Sequence, residues 1–217
     1  MQIFMGKNLG SIDDFFAISD NEKLASILLN FIEENIESIS PNWHALGFIH
    51  CLLASEASGV TLRLHAWDSG LSHNQEQESK IHDHRFDVES RVLSGAVMNT
   101  IYNFRDAQDG DFKICRVNYS SNSSLLVDSS EFGYIDVSGF SEVRAPSFYG
   151  VKKFNLHKTE LVGSRALTLV RTSSFEGYSP RAVFPRNALL PGERAQVPVD
   201  KYLWLSLVRK MLIKNPV

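Results

Sequence analysis

Apolar residues recur at intervals of three and four along the N-terminal part of the chain, a spacing that predicts helices. In NEKLASILLNFIEENI the residues that share one face are Leu24, Ile27, Leu28, Phe31 and Ile32. Asp13 and Ser19 are the candidate N-caps, because their side-chain oxygens can accept the unpaired N–H groups of a first turn. We expect this helical part, about residues 10–45, to cover one side of a sheet.

From residue 48 to about residue 175 the pattern changes to the alternation and short apolar runs of strands. FIHCLLAS and GVTLRLHAW are joined by residues 56–59, a hairpin-type connection. Further short strands follow, separated by turn residues, and strands do not alternate with helices. This arrangement predicts an all-β sandwich or barrel and disfavours a doubly wound α/β fold.

The C-terminal part, residues 176–217, begins with a proline-rich stretch that predicts an irregular extension. DKYLWLSLVRKMLIK then predicts a closing helix with Asp200 as its N-cap. The residues expected on its buried side are Leu203, Trp204, Leu207, Val208 and Met211. Residues 1–217 are therefore interpreted as a single domain, a β core with helices at both ends.

Composition narrows the classes of function. The chain has 217 residues, 43% hydrophobic and 22% charged, and a net charge of −3, which is ordinary globular composition. It has no Lys/Arg cluster and no apolar run near the ~20 residues that span a bilayer, so we expect no nucleic-acid or membrane partner. Acidic residues interrupt the N-terminus where a signal peptide would be apolar, which predicts a cytoplasmic protein. Cys51 and Cys115 are expected to be buried thiols.

The segment His82-Asp83-His84 lies directly before a predicted strand. In extended backbone, residues two apart point to the same face, so both imidazoles can reach one point while Asp83 faces away. This is the arrangement that a metal site requires, and His157, in FNLHKTEL, is the best candidate for a third ligand. Imidazole suits iron, zinc, copper and nickel alike, so the ligands leave the metal open.

The order HxH, then RVLSG, then a distant lone histidine resembles the cupin family, and more closely its cysteine dioxygenase-like branch. The resemblance covers residues 48–175 and includes the strand pair that ends in Trp67. It implies a double-stranded β-helix barrel in which His82, His84 and His157 hold Fe(II), with Zn or Ni as other divalent possibilities. It further implies a dioxygenase whose partners are a small-molecule substrate and dioxygen.

The chain departs from that branch at several positions. Cysteine dioxygenases have a carboxylate-binding arginine where this chain has His50, and a Ser-His-Tyr set where it has Ala166, Thr168 and Val170. A neutral imidazole cannot replace a bidentate guanidinium, so we expect free cysteine to be a poor substrate.

The strand after HxH could supply a fourth ligand, and two ways of counting along it place different residues at the inward position. Counting forward from His84 puts Glu89 at the inward position, which would give three histidines and a carboxylate, and then Glu89 could contact the substrate. Counting back from Gly95 puts Val88 there, which gives a bare three-histidine site and leaves Glu89 solvated or paired with Arg91 or Lys158. We favour the bare site.

The remaining candidates for substrate binding are His50, Tyr102 and Arg181, the last of which could fold over the barrel mouth from the tail. His65 has the parity opposite to Leu62 and Leu64, which predicts an outward position. Two alternatives to a dioxygenase remain on the same barrel. One is an isomerase, hydrolase or lyase that uses the metal as a Lewis acid, and the other is a non-catalytic protein that binds a metal or small ligand.

Overall fold

The computed structural model describes residues 11–72, 79–120, 123–173 and 177–213. The helices in these ranges are α1 (Ile12–Phe16), α2 (Asn21–Glu34), a 3-10 turn (Ile36–Ser38) and α3 (Lys201–Leu212). The strands are β1 (Asn42–His44), β2 (Phe48–Ser55), β3 (Thr61–Asp68), β4 (Val88–Asp106), β5 (Phe112–Tyr119), β6 (Ser123–Arg144), β7 (Phe148–Val151), β8 (Leu156–Thr172), β9 (Arg181–Pro185), β10 (Arg194–Ala195) and β11 (Val197–Pro198). The predicted all-β core with N-terminal helices and a C-terminal helix is confirmed. No helix in the described ranges is both long and apolar enough to cross a bilayer.

Each of the three α-helices begins at a side chain that accepts hydrogen bonds from its first turn. Ser11 caps α1 and Asp20 caps α2, so the predicted caps Asp13 and Ser19 are wrong by one or two residues. Asp13 instead lies inside α1, where its carboxylate accepts a hydrogen bond from Arg171 at 2.5 Å. Asp200 caps α3 as predicted, because its Oδ1 accepts the N–H groups of the first helical turn at 3.0 and 2.8 Å.

The buried face of α3 differs from the prediction at one edge. Leu203 is 60% exposed, whereas Leu205 is 6% exposed and packs in the core. The helix therefore docks with its Leu205 flank against the sheet and leaves the Leu203 flank in solvent. Apolar spacing alone could not choose between the two flanks, since each lies one residue from Trp204.

This difference predicts a stability contrast within one helix. Leu207→Ala should lower the free energy of unfolding by about 2–4 kcal/mol, because it removes a core side chain that is only 8% exposed. Leu203→Ala, the matched control at an exposed position, should change it by less than ~0.5 kcal/mol. Urea unfolding followed by circular dichroism measures both. Equal losses for the two variants would contradict the observed docking of α3.

The strands form one sheet in the order β11-β1-β2-β3-β8-β4-β6-β5-β9, with β7 beside β4 and β10 beside β6. β4 and β8 pair antiparallel along almost their whole length, with register shifts near Gly95. Gly95 has a φ of +70°, and a Cβ there would lie 2.0 Å from the Arg165 carbonyl oxygen, so only glycine fits this close crossing. The strand that contains RVLSG continues through this crossing to Asp106.

The segment that carries His82 closes the sheet into a barrel. His82 and His157 exchange backbone hydrogen bonds of 3.0 and 2.8 Å, which join the segment to β8. On its other side, Asp83 N donates to Arg181 O at 3.0 Å and Val183 N donates to Ile81 O at 2.9 Å, which joins it to β9. The ring then runs through β9, β5, β6 and β4 back to β8. Because β9 to β11 belong to this sheet, the strands extend past the expected limit near residue 175.

The two faces of β2 and β3 have different environments. Leu62, Leu64 and Ala66 pack against the helices in the main hydrophobic cluster. The opposite face carries His50 and His65, which are register partners, and turns toward the barrel interior. The prediction that His65 lies outside is therefore wrong: its ring is 4.7 Å from that of Phe48, between centroids. The helices cover the apolar face of these strands, and the polar face lines the barrel.

Both cysteines are buried free thiols, as predicted. Burial raises the pKa of Cys51 to about 12 and that of Cys115 to about 11. These thiols remain protonated at neutral pH and act as small apolar core residues.

Candidate metal centre

Three histidines converge where the His82 segment meets β8. One nitrogen of each of His82, His84 and His157 lies within 4.8 Å of the corresponding nitrogens of the other two. The closest approach is 2.9 Å, between Nε2 of His84 and Nε2 of His157. The ring of His82 is 4.7 Å from that of His84 and 4.6 Å from that of His157, between centroids. The structure thus brings together the three residues proposed as ligands from the sequence.

Hydrogen bonds at Nδ1 orient two of the rings. Nδ1 of His82 lies 2.9 Å from the Lys80 carbonyl oxygen, and Nδ1 of His157 lies 3.0 Å from Oδ1 of Asn99. Since both partners are acceptors, each Nδ1 carries the proton and donates it, and each Nε2 keeps its lone pair. A second hydrogen bond of this kind is the usual way in which proteins fix a metal-binding histidine.

The protonation state of the cluster also suits a metal. Burial lowers the pKa of His82, His84 and His157 below the ordinary value, and for the last two the pKa falls well below it. The imidazoles are therefore neutral at physiological pH, the form that ligates metals. Two nitrogens bound to one ion at about 2.1 Å and at a right angle lie about 3 Å apart, which matches the observed 2.9 Å. The three side chains fit a divalent metal.

Asp83, between the two histidines, faces away from the cluster as predicted and is 1% exposed. Its carboxylate accepts hydrogen bonds from the backbone N–H of Arg181 at 2.6 Å, from Nε of Arg181 at 2.7 Å and from the Tyr178 hydroxyl at 2.8 Å. The Arg181 guanidinium also donates to the Phe154 carbonyl oxygen at 2.8 Å. These contacts fasten the HxH segment to the tail and thereby set the positions of His82 and His84.

The side chain of Asn99 fixes the orientation of the His157 ring. Asn99 Oδ1 accepts hydrogen bonds from His157 Nδ1 and, at 3.2 Å, from the Thr159 hydroxyl. Tyr149 is partly buried next to Thr159, and burial raises the pKa of its phenol. Asn99 is 4% exposed, so little water is available to replace its oxygen.

Removing this acceptor should weaken metal binding. We expect Asn99→Ala to lower metal affinity by about 10–100-fold, because the His157 ring loses the partner that fixes its orientation and tautomer. Asn99→Asp should retain most of the affinity, since it keeps an acceptor oxygen. Asn118→Ala, at an exposed position on β5, is the matched control. Competition with a chelating dye measures the affinities, and an unchanged affinity in Asn99→Ala would contradict this role.

A cavity of about 360 Å³ opens beside the cluster. It borders His82 and His84, together with aromatic, apolar, hydroxyl and cationic side chains. Its described lining residues are Trp43, His44, Ala45, Leu46, His50, Arg63, His82, His84, Arg85, Phe86, Val117, Tyr119, Ser123, Ser124, Leu126, Pro180, Ala182, Arg194, Ala195, Gln196 and Val197. This volume suits a small molecule.

Of the predicted substrate-binding residues, His50 lines the cavity and Glu89 does not. Burial lowers the pKa of His50 to about 4, so this residue supplies no fixed cation at neutral pH. The Glu89 carboxylate lies outside and accepts a hydrogen bond from Arg171 at 2.7 Å, not from either of the partners expected for it. Val88 is the inward residue, packed with Val151 and Val170, and no carboxylate of the described residues joins the three histidines.

Two further candidates lie away from the cavity. Tyr102 is the register partner of Leu156, on the opposite face of the sheet from His157, and packs in a separate apolar cluster. The Arg181 guanidinium is bound to Asp83 and to Phe154, so it does not reach over the barrel mouth. Contacts between distant segments determine both positions, and strand parity does not predict such contacts.

The polar cavity residues that the sequence pattern did not indicate include His44, Arg63, Arg85 and Tyr119. Arg63 has the same parity on β3 as His65. These two polar side chains on one face mark the side of the strand that faces the barrel. Arg85 directly follows His84. His44 lies in a three-residue strand that the pattern did not indicate; its Nδ1 accepts a hydrogen bond from Leu46 N at 3.2 Å.

Comparison with known proteins adds little detail. No family model matches the chain, and no curated protein matches it. Solved structures with similarity include an oxalate decarboxylase (13% identity, 69% of this chain and 32% of that one, TM-score 0.36). A structure from work on DMSP lyases has 16% identity over 62% of this chain and 51% of the other, with a TM-score of 0.28. A protein from Shewanella oneidensis has 13% identity over 86% of this chain and 97% of the other, with a TM-score of 0.38.

The chain spans about a third and about half of the first two of these structures. Overlaps of this quality carry no activity over to this chain. What the fold and the site themselves define is a closed antiparallel β-barrel with three neutral imidazoles, able to hold a divalent metal at the edge of a small cavity.

Proposed function

We propose that this chain is a cupin-type enzyme that binds Fe(II) through His82, His84 and His157 and uses dioxygen to oxidise a small molecule other than free cysteine. The observation that carries the proposal is the convergence of the three imidazoles beside a cavity of small-molecule size. The order of the three histidines along the chain is also the order found in the family that the sequence resembles.

The ligand set favours redox chemistry with an anionic donor. Bound iron(II) would supply reactivity toward dioxygen at a net charge of +2, since no carboxylate among the described residues joins the three imidazoles. The chain's own residues have distinct tasks: Asn99 and the Lys80 carbonyl orient the ligands, and Asp83 fixes the HxH segment. Trp43 and Phe86 give the cavity apolar walls that limit the access of water.

The prediction about cysteine needs a direct test. It rests on the absence of a carboxylate-binding arginine at position 50, yet the cavity has a cation from another strand, Arg63. The substrate panel therefore includes cysteine beside other thiols and enolisable acids. Poor turnover of cysteine is the expected result, because Arg63 on β3 would hold a carboxylate at a different place from position 50 on β2.

Oxygen uptake by metal-loaded protein tests the proposed function. The protein is loaded separately with Fe(II), Zn(II) and Ni(II) and incubated with each compound of the panel. Oxygen consumption that requires iron and substrate supports a dioxygenase. Turnover without oxygen consumption would instead indicate an enzyme that uses its metal as a Lewis acid. Tight ligand binding without turnover would indicate a non-catalytic protein. Either of these two results overturns the proposal.

A further inference from the structure

The charged residues of the described cavity lining are all cationic. Arg63, from β3, and Arg85, directly after His84, both line it, and Arg194 lines it from β10. Among the described lining residues there is no aspartate and no glutamate. We call Arg63 and Arg85 together the arginine wall. A cleft lined by one sign of charge concentrates ligands of the opposite sign.

Neither member of the arginine wall has a carboxylate partner in the described part of the chain. Among the described residues, the Arg63 side chain makes one hydrogen bond, from Nε to the Thr61 hydroxyl at 3.3 Å, and Arg85 makes no ion pair. Arg165, Arg171 and Arg181, by contrast, each have a carboxylate oxygen within 2.5–2.7 Å. The terminal nitrogens of Arg63 are therefore available to a ligand.

The surroundings of Arg63 disfavour its charge. Burial and the positive charge of Arg85 both lower the pKa of the Arg63 guanidinium. An anion between the two side chains would remove their repulsion and satisfy the N–H groups of Arg63. A guanidinium presents paired donors that match the oxygens of a carboxylate or a phosphate. The hydroxyls of Tyr119 and Ser124 line the same cavity and offer further donors.

We propose that the arginine wall binds an anionic group, a carboxylate or a phosphate, on the small molecule whose reacting end faces His82 and His84. This inference rests on the proposed function in one respect, that the cavity beside the histidines is the substrate site. It replaces Arg181, the cation expected from the sequence, with Arg63. It also gives Arg63 a role in substrate specificity, since it selects ligands by charge.

Calorimetric titration with simple probes tests the inference without requiring turnover. Succinate and inorganic phosphate are the anionic probes, and succinamide is the uncharged counterpart of succinate. Because carboxylates also ligate metals, each titration is run on the iron-loaded protein and on His84→Ala. Both proteins should bind at least one anionic probe and should not bind succinamide.

The variants are Arg63→Met, which keeps the length of the side chain without its charge, and Arg85→Gln, at an exposed position that is safe for folding. Each should weaken binding of the anion by at least about tenfold, as expected for loss of a charged contact. Arg105→Met, on an exposed part of β4, is the matched control and should bind as the wild type does. A preference for succinate assigns a carboxylate, and a preference for phosphate assigns a phosphate group.

Other outcomes overturn the inference: no binding of either anion, equal binding of succinamide, or unchanged binding in both cavity variants. Failure of the proposed function gives a different result. If charge-dependent binding is intact in the wild type and in His84→Ala, but no compound supports iron-dependent oxygen uptake, only the dioxygenase proposal fails.

Discussion

His84→Ala should remove nearly all bound metal while the protein remains folded. The substitution leaves two of three imidazoles, and it removes the nitrogen that lies 2.9 Å from that of His157. We expect metal affinity to fall by more than about 100-fold, beyond the 10–100-fold typical when only a ligand's supporting hydrogen bond is lost. Of all the substitutions considered, this one should affect the site most.

The fold should tolerate the change because its main apolar cluster lies elsewhere. That cluster joins α1, α2 and α3 to the outer face of β2 and β3, and the three histidines are not part of it. The backbone contact of residue 84, a hydrogen bond from Phe154 N to His84 O at 2.9 Å, remains in the variant. This differs from a small zinc domain, in which metal binding supplies the folding energy.

Elemental analysis and thermal melting of metal-free samples measure the two effects. His50→Ala is the matched control, since it removes an imidazole from the same cavity but from outside the cluster. It should keep about one metal ion per chain. Stoichiometric metal in His84→Ala would refute the assignment of this ligand, and a collapse of its melting transition would refute the independence of the fold.

The shared orientation of His82 and His84 was predictable because the information that places these two residues is local. Alternation along extended backbone puts His82 and His84 on one side and Asp83 on the other, whatever the rest of the barrel does. The partner of Asp83 was not predictable in this way. Arg181 lies 98 residues further along the chain, and the pairing depends on β9 lying beside the His82 segment.

The error on β3 has a physical reason. Parity correctly separates Leu62 and Leu64 from Arg63 and His65, but it does not say which face turns to the barrel. The outward prediction for His65 placed the apolar face of β3 in the barrel interior. Here α1, α2 and α3 bury that face, so the barrel receives the polar one, including Arg63. The polar residues on this face of β3 therefore line a cavity and are not packed in a hydrophobic core.

The choice between Glu89 and Val88 depended on register. Counting forward from His84 and counting back from Gly95 gave two different inward residues, because the crossing at Gly95 shifts the pairing of β4 with β8. The structure pairs Val88 with Val151 of β7 and Glu89 with Gly150, which leaves the Glu89 carboxylate on the outer face beside Arg171. Only the long-range pairing of β4 with β7 and β8 resolves the ambiguity.

Asp83→Ala should cost both stability and metal affinity, since one carboxylate supports the segment that carries two ligands. Its side chain is fully buried, whereas that of Arg181 is 24% exposed, so the arginine can regain some water when its partner is lost. We therefore expect a loss of about 3 kcal/mol in the free energy of unfolding, at the lower end of the range for breaking a buried ion pair. The unpaired N–H of Arg181 and the Tyr178 hydroxyl contribute to that loss. Asp136→Ala, at an exposed position on β6, should change stability by less than ~0.5 kcal/mol.

A second substitution separates the charge of Asp83 from its positioning role. Adding Arg181→Met to Asp83→Ala removes the uncompensated cation, so the double variant should be more stable than the sum of the two single losses predicts. Metal affinity should not recover, because His82 and His84 still lack the contacts that fix their segment. Urea unfolding of the metal-free variants measures the first effect, and chelator competition measures the second. Recovery of metal affinity together with stability would show that Asp83 acts only on the fold, and not on the placement of the two histidines.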